Sequence, residues 1–166
     1  IRMDARLRTK NLDAGKIAGT ETIRQCSLET GLKMQLPDER GNKMQISIDS
    51  LKVDRLNLMG YDYSRIAAAG EISEDAFDGK FVCGDPNLNF LFQGTFALSK
   101  NTNNSLYKFY ANVGHADLHA LKLDNRKISR LRFRTGADFV RTGGNDLIGK
   151  IELGGLVLEN ESGIHD

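Results

Sequence analysis

Residues 88–98, Leu88-Asn89-Phe90-Leu91-Phe92-Gln93-Gly94-Thr95-Phe96-Ala97-Leu98, decide the fold. Their even-numbered positions read Leu, Phe, Phe, Gly, Phe and Leu, with polar Asn89, Gln93 and Thr95 interleaved. A strand repeats its facing every two residues, so the run predicts one apolar and one wet face. The pattern recurs at Tyr107, Phe109, Ala111, Val113, then at Leu131, Phe133, Thr135, Ala137, Phe139, and again at Leu147, Gly149, Ile151, Leu153. Upstream it shows at Met3, Ala5, Leu7, at Met44, Ile46, Ile48, and at Leu51, Val53. Turn-forming clusters lie between the runs, at 38–42, at 100–105 and at 142–146. Long helical periodicity is absent, and Ser73 to Phe77 is the single short helix candidate. The fold class is therefore all-β.

Composition narrows the function classes. The 166 residues carry 23 basic and 22 acidic side chains, a net charge of +1. That balance argues against nucleic-acid steering, which needs clustered cations. Arg130, Arg132 and Arg134 alternate with Leu131 and Phe133, so they read as the wet face of a strand rather than an anion site. Seventeen glycines, two prolines and no tryptophan suit a sheet protein with many tight turns. Cys26 and Cys83 form no CxxC pair and are expected as free thiols. No run approaches the ~18 apolar residues of a membrane-spanning helix, and no signal peptide is recognisable. The chain opens at Ile1 and stops after a strand-like run, as a single fragment (1–166) of a longer protein would.

An offset of 65 residues superimposes Ile46 on Ala111, Ile48 on Val113, Leu51 on Ala116 and Val53 on Leu118. Both copies change phase at the same place, between Ile48 and Leu51 and between Val113 and Ala116. A shared phase break suggests a shared bend, as a winding sheet needs, and a repeating β unit over 44–83 and 109–153. Repeating units stack on their neighbours and must cover their apolar faces. A barrel or sandwich would do so with a second sheet, whereas an open curved sheet would leave an apolar trough that needs a guest. Periodicity alone favours the closed core over the trough.

DPNLNFLFQGTFALS (85–99) followed by FYANVGHADLHALKL (109–123) resembles the C-terminal region of the TamB family, the translocation and assembly module, in its Bacteroides-type form. LRFRTGADF (131–139) and the Gly149, Ile151, Leu153 strand extend the resemblance over residues 78–158. The resemblance implies an AsmA-like bridge: a curved, repetitive, U-shaped β-sheet (β-taco) with an apolar interior groove. It implies an inner-membrane-anchored periplasmic protein, non-enzymatic and without cofactor, that conducts phospholipids toward the outer membrane. An Omp85-type outer-membrane barrel is the implied partner, and the anchor would lie outside this chain. The groove would be lined by Ile46, Ile48, Val53, Leu88, Phe90, Phe92, Phe96, Leu98, Phe109, Val113, Leu118, Leu131, Phe133, Phe139, Ile151 and Leu153. An alternative function is a β-edge module that pairs with strands of client outer-membrane proteins. A polysaccharide-binding solenoid fits less well, since tryptophan platforms are missing.

HADLHALKL (115–123) places His115, Asp117 and His119 at alternate positions, an arrangement that invites a metal. Same-face neighbours on a strand stand about 7 Å apart, too far to converge without leaning together. The expectation is a wet outer face and no metal, with Ala116, Leu118, Leu121 and Leu123 keeping the apolar side inward round a bend. The acidic pairs Asp38-Glu39 and Glu74-Asp75 fall in turn clusters, Gly143-Gly144-Asn145 reads as a hairpin turn, and Gly154-Gly155 as a corner. No nucleophile elbow accompanies His165, so no active site is expected.

Overall fold

The computed structural model describes residues 2–20, 22–37, 41, 43–98, 105–142 and 146–166, the side chains of Ala18 and Leu98 excepted. It is nearly all β. The strands are β1 (Arg2–Asp13), β2 (Ile23–Gln35), β3 (Gln45–Leu58), β4 (Tyr61–Ser73), β5 (Ala76–Asp85), β6 (Leu88–Leu98), β7 (Ser105–Asp117), β8 (Ser129–Arg141), β9 (Leu147–Asn160) and β10 (Gly163–His165). All ten lie in one antiparallel sheet in chain order, and the sheet does not close on itself. Among the described residues, substantive contacts between helices and strands join chain neighbours only, and no second sheet covers either face.

Ser73 to Phe77 is a hairpin corner, not a helix: β4 ends at Ser73 and β5 begins at Ala76. So short a run has little helical stability of its own, and cross-strand pairing of Ile72 with Phe77 wins instead. Asp75 fixes the corner, accepting from Ser73 Oγ (3.3 Å) and from Lys43 Nζ (2.5 Å). Among the described residues one helical turn forms, α1 (Ala14–Ala18). Asp13 caps it by accepting from the Lys16 N–H, and Gly19 ends it in a left-handed conformation at φ 67°. One turn carries no periodic signature, which is why the sequence gives no warning of it. The turn clusters at 38–42, 100–105 and 142–146, with Gly143-Gly144-Asn145, lie largely outside the described residues.

Strand pairing gathers the alternating apolar positions on one face. One row runs Met34, Ile46, Ile72, Phe77, Phe96, Tyr107, Phe139 from β2 to β8. A second runs Leu28, Val53, Ile66, Cys83, Phe90, Val113, Phe133. The phase breaks noted in sequence are bulges. Between Ile48 and Leu51, β3 carries one residue more than β4, and between Val113 and Ala116, β7 carries one more than β8. An extra residue bends its strand and restores parity beyond the bulge, so the apolar side stays on the same face. Gly154-Gly155 belongs to a third bulge, where β9 shifts against Arg132 and Arg134.

Between the two rows the backbones approach too closely for side chains at Gly79 and Gly94. A Cβ on Gly79 would sit 2.8 Å from the Phe77 ring, and one on Gly94 would sit 2.5 Å from Phe109 Cβ. These glycines let aromatic rings lie flat over the sheet, where a methyl group would lift them off.

Candidate functional site: one apolar face in two halves

The apolar face differs along the strands. At the end of the sheet carrying Leu58, Tyr61, Leu88 and Ala116, a true core forms from Cys26, Val53, Tyr63, Ile66, Cys83, Val113, Ala116 and Leu121. Leu28, Leu56, Phe81, Leu88, Phe90, Leu118 and Phe133 pack against it. The cover is not a second sheet but the connection between β7 and β8. After Asp117 the chain leaves the sheet and lays Leu118 and Leu121 on the strands, Leu121 being only 1% exposed.

Hydrogen bonds pin this strap to three places. Asp117 N–H donates to Asn87 O (2.9 Å) and Leu118 N–H to Ser129 O (2.7 Å). Lys122 Nζ reaches Gly60 O (2.5 Å) in the β3–β4 hairpin, several strands away. Internally, the Asp117 carboxylate accepts from Ala120 N–H (2.9 Å), and Leu123 N–H donates to Leu118 O (2.8 Å). At its far end Ser129, fully buried, donates to Asp124 (2.8 Å). Asp124 also takes Arg126, a pairing that with the Arg126 N–H holds its carboxyl far below the usual range.

HADLHALKL is thus a strand end and a pinned turn. His115 and His119 are exposed, while the Ala120 N–H first, and then Arg130 at 3.4 Å, hold the Asp117 carboxyl below its ordinary value despite partial burial. Among the described residues no three His, Cys, Asp or Glu side chains converge on a common point. Ala116, Leu118 and Leu121 do face the core, but Leu123 is 51% exposed. The inward pattern expected there ends because the strand itself ends. In the matching copy β3 continues through Val53 and Leu56 to Leu58, so the two copies diverge at this point.

Beside the strap sits a buried carboxylate that alternation does not announce. Asp85, 5% exposed, accepts from Tyr61 Oη (2.5 Å), Ser64 N (2.9 Å), Ser64 Oγ (2.8 Å) and Asn87 N (2.9 Å). Asn87 Nδ2 in turn donates to Tyr61 Oη (3.0 Å). Burial raises the Asp85 pKa, but four donors outweigh it and leave the carboxyl below its ordinary value. The only sequence signal was Asp85-Pro86-Asn87, a turn tripeptide in which an aspartate accepts from the N–H two residues on. Both cysteines are free and buried, and burial pushes their thiols up.

At the other end of the strands the same face carries aromatic rings that no core cluster of the described residues includes. Phe77 lies 5.8 Å from Phe96 and 6.4 Å from Phe92 between ring centroids. Phe109 lies 6.0 Å from Phe92 and 5.9 Å from Phe96, and Tyr107 stacks on Phe139 at 4.8 Å. All six rings are half-buried, and none belongs to the core cluster.

The residues expected to line a groove divide accordingly. Val53 and Val113 are buried in the core, with Leu88, Phe90 and Phe133 against it. Ile46, Ile48, Phe92, Phe96, Phe109 and Phe139 are half-buried on the uncovered part, and Leu131 is half-buried at the strap end. Leu118 stands off the strands and covers the face instead of lining it. Ile151 and Leu153 on β9 are 65% and 61% exposed, and the side chain of Leu98 lies outside the described ones. Arg130, Arg132 and Arg134 project from the opposite, wet face, where Arg130 also meets Glu159 at 3.2 Å.

Comparison with protein-family models, with curated proteins and with solved structures yields no match. Among the described residues no helix is long and apolar enough to cross a membrane, which says nothing of strands.

Proposed function

We propose that the chain is a segment of a periplasmic lipid-conducting bridge, in which hydrocarbon chains of phospholipids travel along the apolar face. The carrying observation is that face: it runs through successive strands on one side of an open sheet and ends in six aromatic rings that nothing among the described residues covers. Hydrocarbon is the chemistry that such a wall accepts, at about 0.8 kcal/mol for each CH₂ removed from water. Uniform apolar walls offer no deep minimum along the path, so a chain is held yet able to slide. The inner-membrane anchor and the Omp85-type partner belong to this proposal through the resemblance to the TamB family, and no catalysis is part of it.

Phe92→Asp tests the reading, since Phe92 lies outside the core and a charge there leaves the packing near Leu121 untouched. Lipid captured by a photocrosslinker at Phe109 in cells is expected to vanish in the variant while urea unfolding stays cooperative. Absence of captured lipid in the unsubstituted protein overturns the proposal. A second reading rests on the open edges: among the described residues β1 has no outer neighbour, and β10 covers β9 only at Leu158–Asn160. Such edges accept an added strand, and a β-edge module would show β1 amides becoming protected from exchange by a client peptide.

A further inference from the structure

On the hydrocarbon-guest reading just given, we infer that the 118–128 connection is a fixed plug that fills one half of the apolar face and confines the guest to the aromatic half.

The two halves are one continuous surface. The same strands, at the same parity, supply Cys83, Phe90 and Val113 beneath the connection and Phe77, Phe96 and Tyr107 beyond it. What covers the first half is visible in the molecule: two isobutyl groups, Leu118 and Leu121, laid across the strands. The second half continues that interface with the same kind of wall and, among the described residues, no cover, so its fitting occupant is of the same chemistry, a single saturated hydrocarbon chain.

The connection is built to stay in place. It is tied to the start of β8 through Ser129 and to the β3–β4 hairpin through Gly60, and its root, Asp117 at the end of β7, is held to the β5–β6 turn through Asn87. Lys122, which makes the last tie, adopts φ 63°, a left-handed conformation that side chains resist unless their surroundings enforce it. Leu121 is as buried as a residue of a closed core, so no room for a guest remains beneath it. A chain moving along the sheet therefore passes on the aromatic side only, and its lateral position is set by the plug.

The absence of tryptophan makes a direct test available. Single reporters Phe96→Trp, in the aromatic half, and Phe90→Trp, packed against the core cluster, are titrated with monomeric dibromostearate held below its micellar concentration. Bromine quenches only indole that it touches. Loss of emission from Phe96→Trp, with Phe90→Trp unchanged, is expected. Leu121→Ala in the Phe90→Trp background then makes that reporter quenchable too. Quenching of both reporters in the intact protein, or of Phe90→Trp alone, overturns the plug but leaves the hydrocarbon reading standing. Quenching of neither overturns both. If Leu121→Ala does not fold, comparison of the two reporters with the strap intact still decides.

Discussion

Replacing Asp85 by asparagine removes a charge that four donors surround. The amide keeps one oxygen able to accept two of these bonds, but its NH₂ group confronts the remaining donors. Two bonds to a charged acceptor are lost at roughly 1.5–3 kcal/mol each, offset in part because the neutral amide is easier to bury, for a net cost of about 3 kcal/mol. With a urea slope of about 2 kcal/mol/M, the unfolding midpoint at pH 7 falls by about 1.5 M. The sign of the pH dependence follows from the depressed carboxyl. Because Asp85 is more acidic folded than unfolded, its contribution is complete above the unfolded value near 3.9 and disappears as pH falls through the lower folded value. The gap between the two proteins should therefore be full at pH 7 and smaller at pH 2. Urea titrations of both proteins at the two pH values measure it. The depressed carboxyls of Asp62, Asp117 and Asp124 weaken both proteins equally in acid and cancel in the difference. A gap that persists undiminished at pH 2 refutes the assignment of Asp85 as a charged anchor.

Gly94→Val forces a Cβ against Phe109 and lifts the aromatic rings, lowering the urea midpoint by an amount corresponding to roughly 1–3 kcal/mol, whereas Gly31→Val, whose Cβ meets nothing nearer than Asp49 Cβ at 4.0 Å, changes it little. Leu121→Ala empties a fully buried site and should cost about 2–5 kcal/mol in the same titration. Lys122→Met removes one tie of an exposed side chain, so global stability shifts by less than about 1 kcal/mol while amide exchange across 118–128 accelerates. Cys26 and Cys83 should resist a thiol reagent at pH 8 in the folded protein and react promptly in denaturant, because burial both shields them and suppresses the thiolate.

The sheet was legible because period-two alternation is a direct record of which side chains avoid water. The run around Phe90, Phe92 and Phe96 and the bends at Ile48/Leu51 and Val113/Ala116 could be located from the order of residues alone. The strap could not. Leu118, Leu121 and Leu123 continue an apolar spacing, and nothing local separates a strand that continues, as at Val53, from one replaced by a turn. That distinction depends on Asp117 finding Ala120 and on Lys122 finding Gly60, partners whose proximity only the folded sheet creates. Asp85 escaped notice for a similar reason: its donors Tyr61 and Ser64 come from the preceding strand, and a carboxylate beside a proline reads as an ordinary exposed turn. Openness of the sheet likewise has no signature in alternation, which a closed core and an uncovered face share.

The chain-order pairing of the strands bears on how the molecule comes into being. Each strand needs only the one before it, so a chain emerging from a ribosome or a narrow channel can add strands in sequence without waiting for distant segments. Loop closure then costs little at every step, and the slow search expected of sheets with non-local pairing is avoided. The tie from Lys122 back to Gly60 breaks this order, joining residues 62 apart. It becomes possible only after the four intervening strands have arrived in register, which makes it a late latch on a structure otherwise laid down like courses of brick.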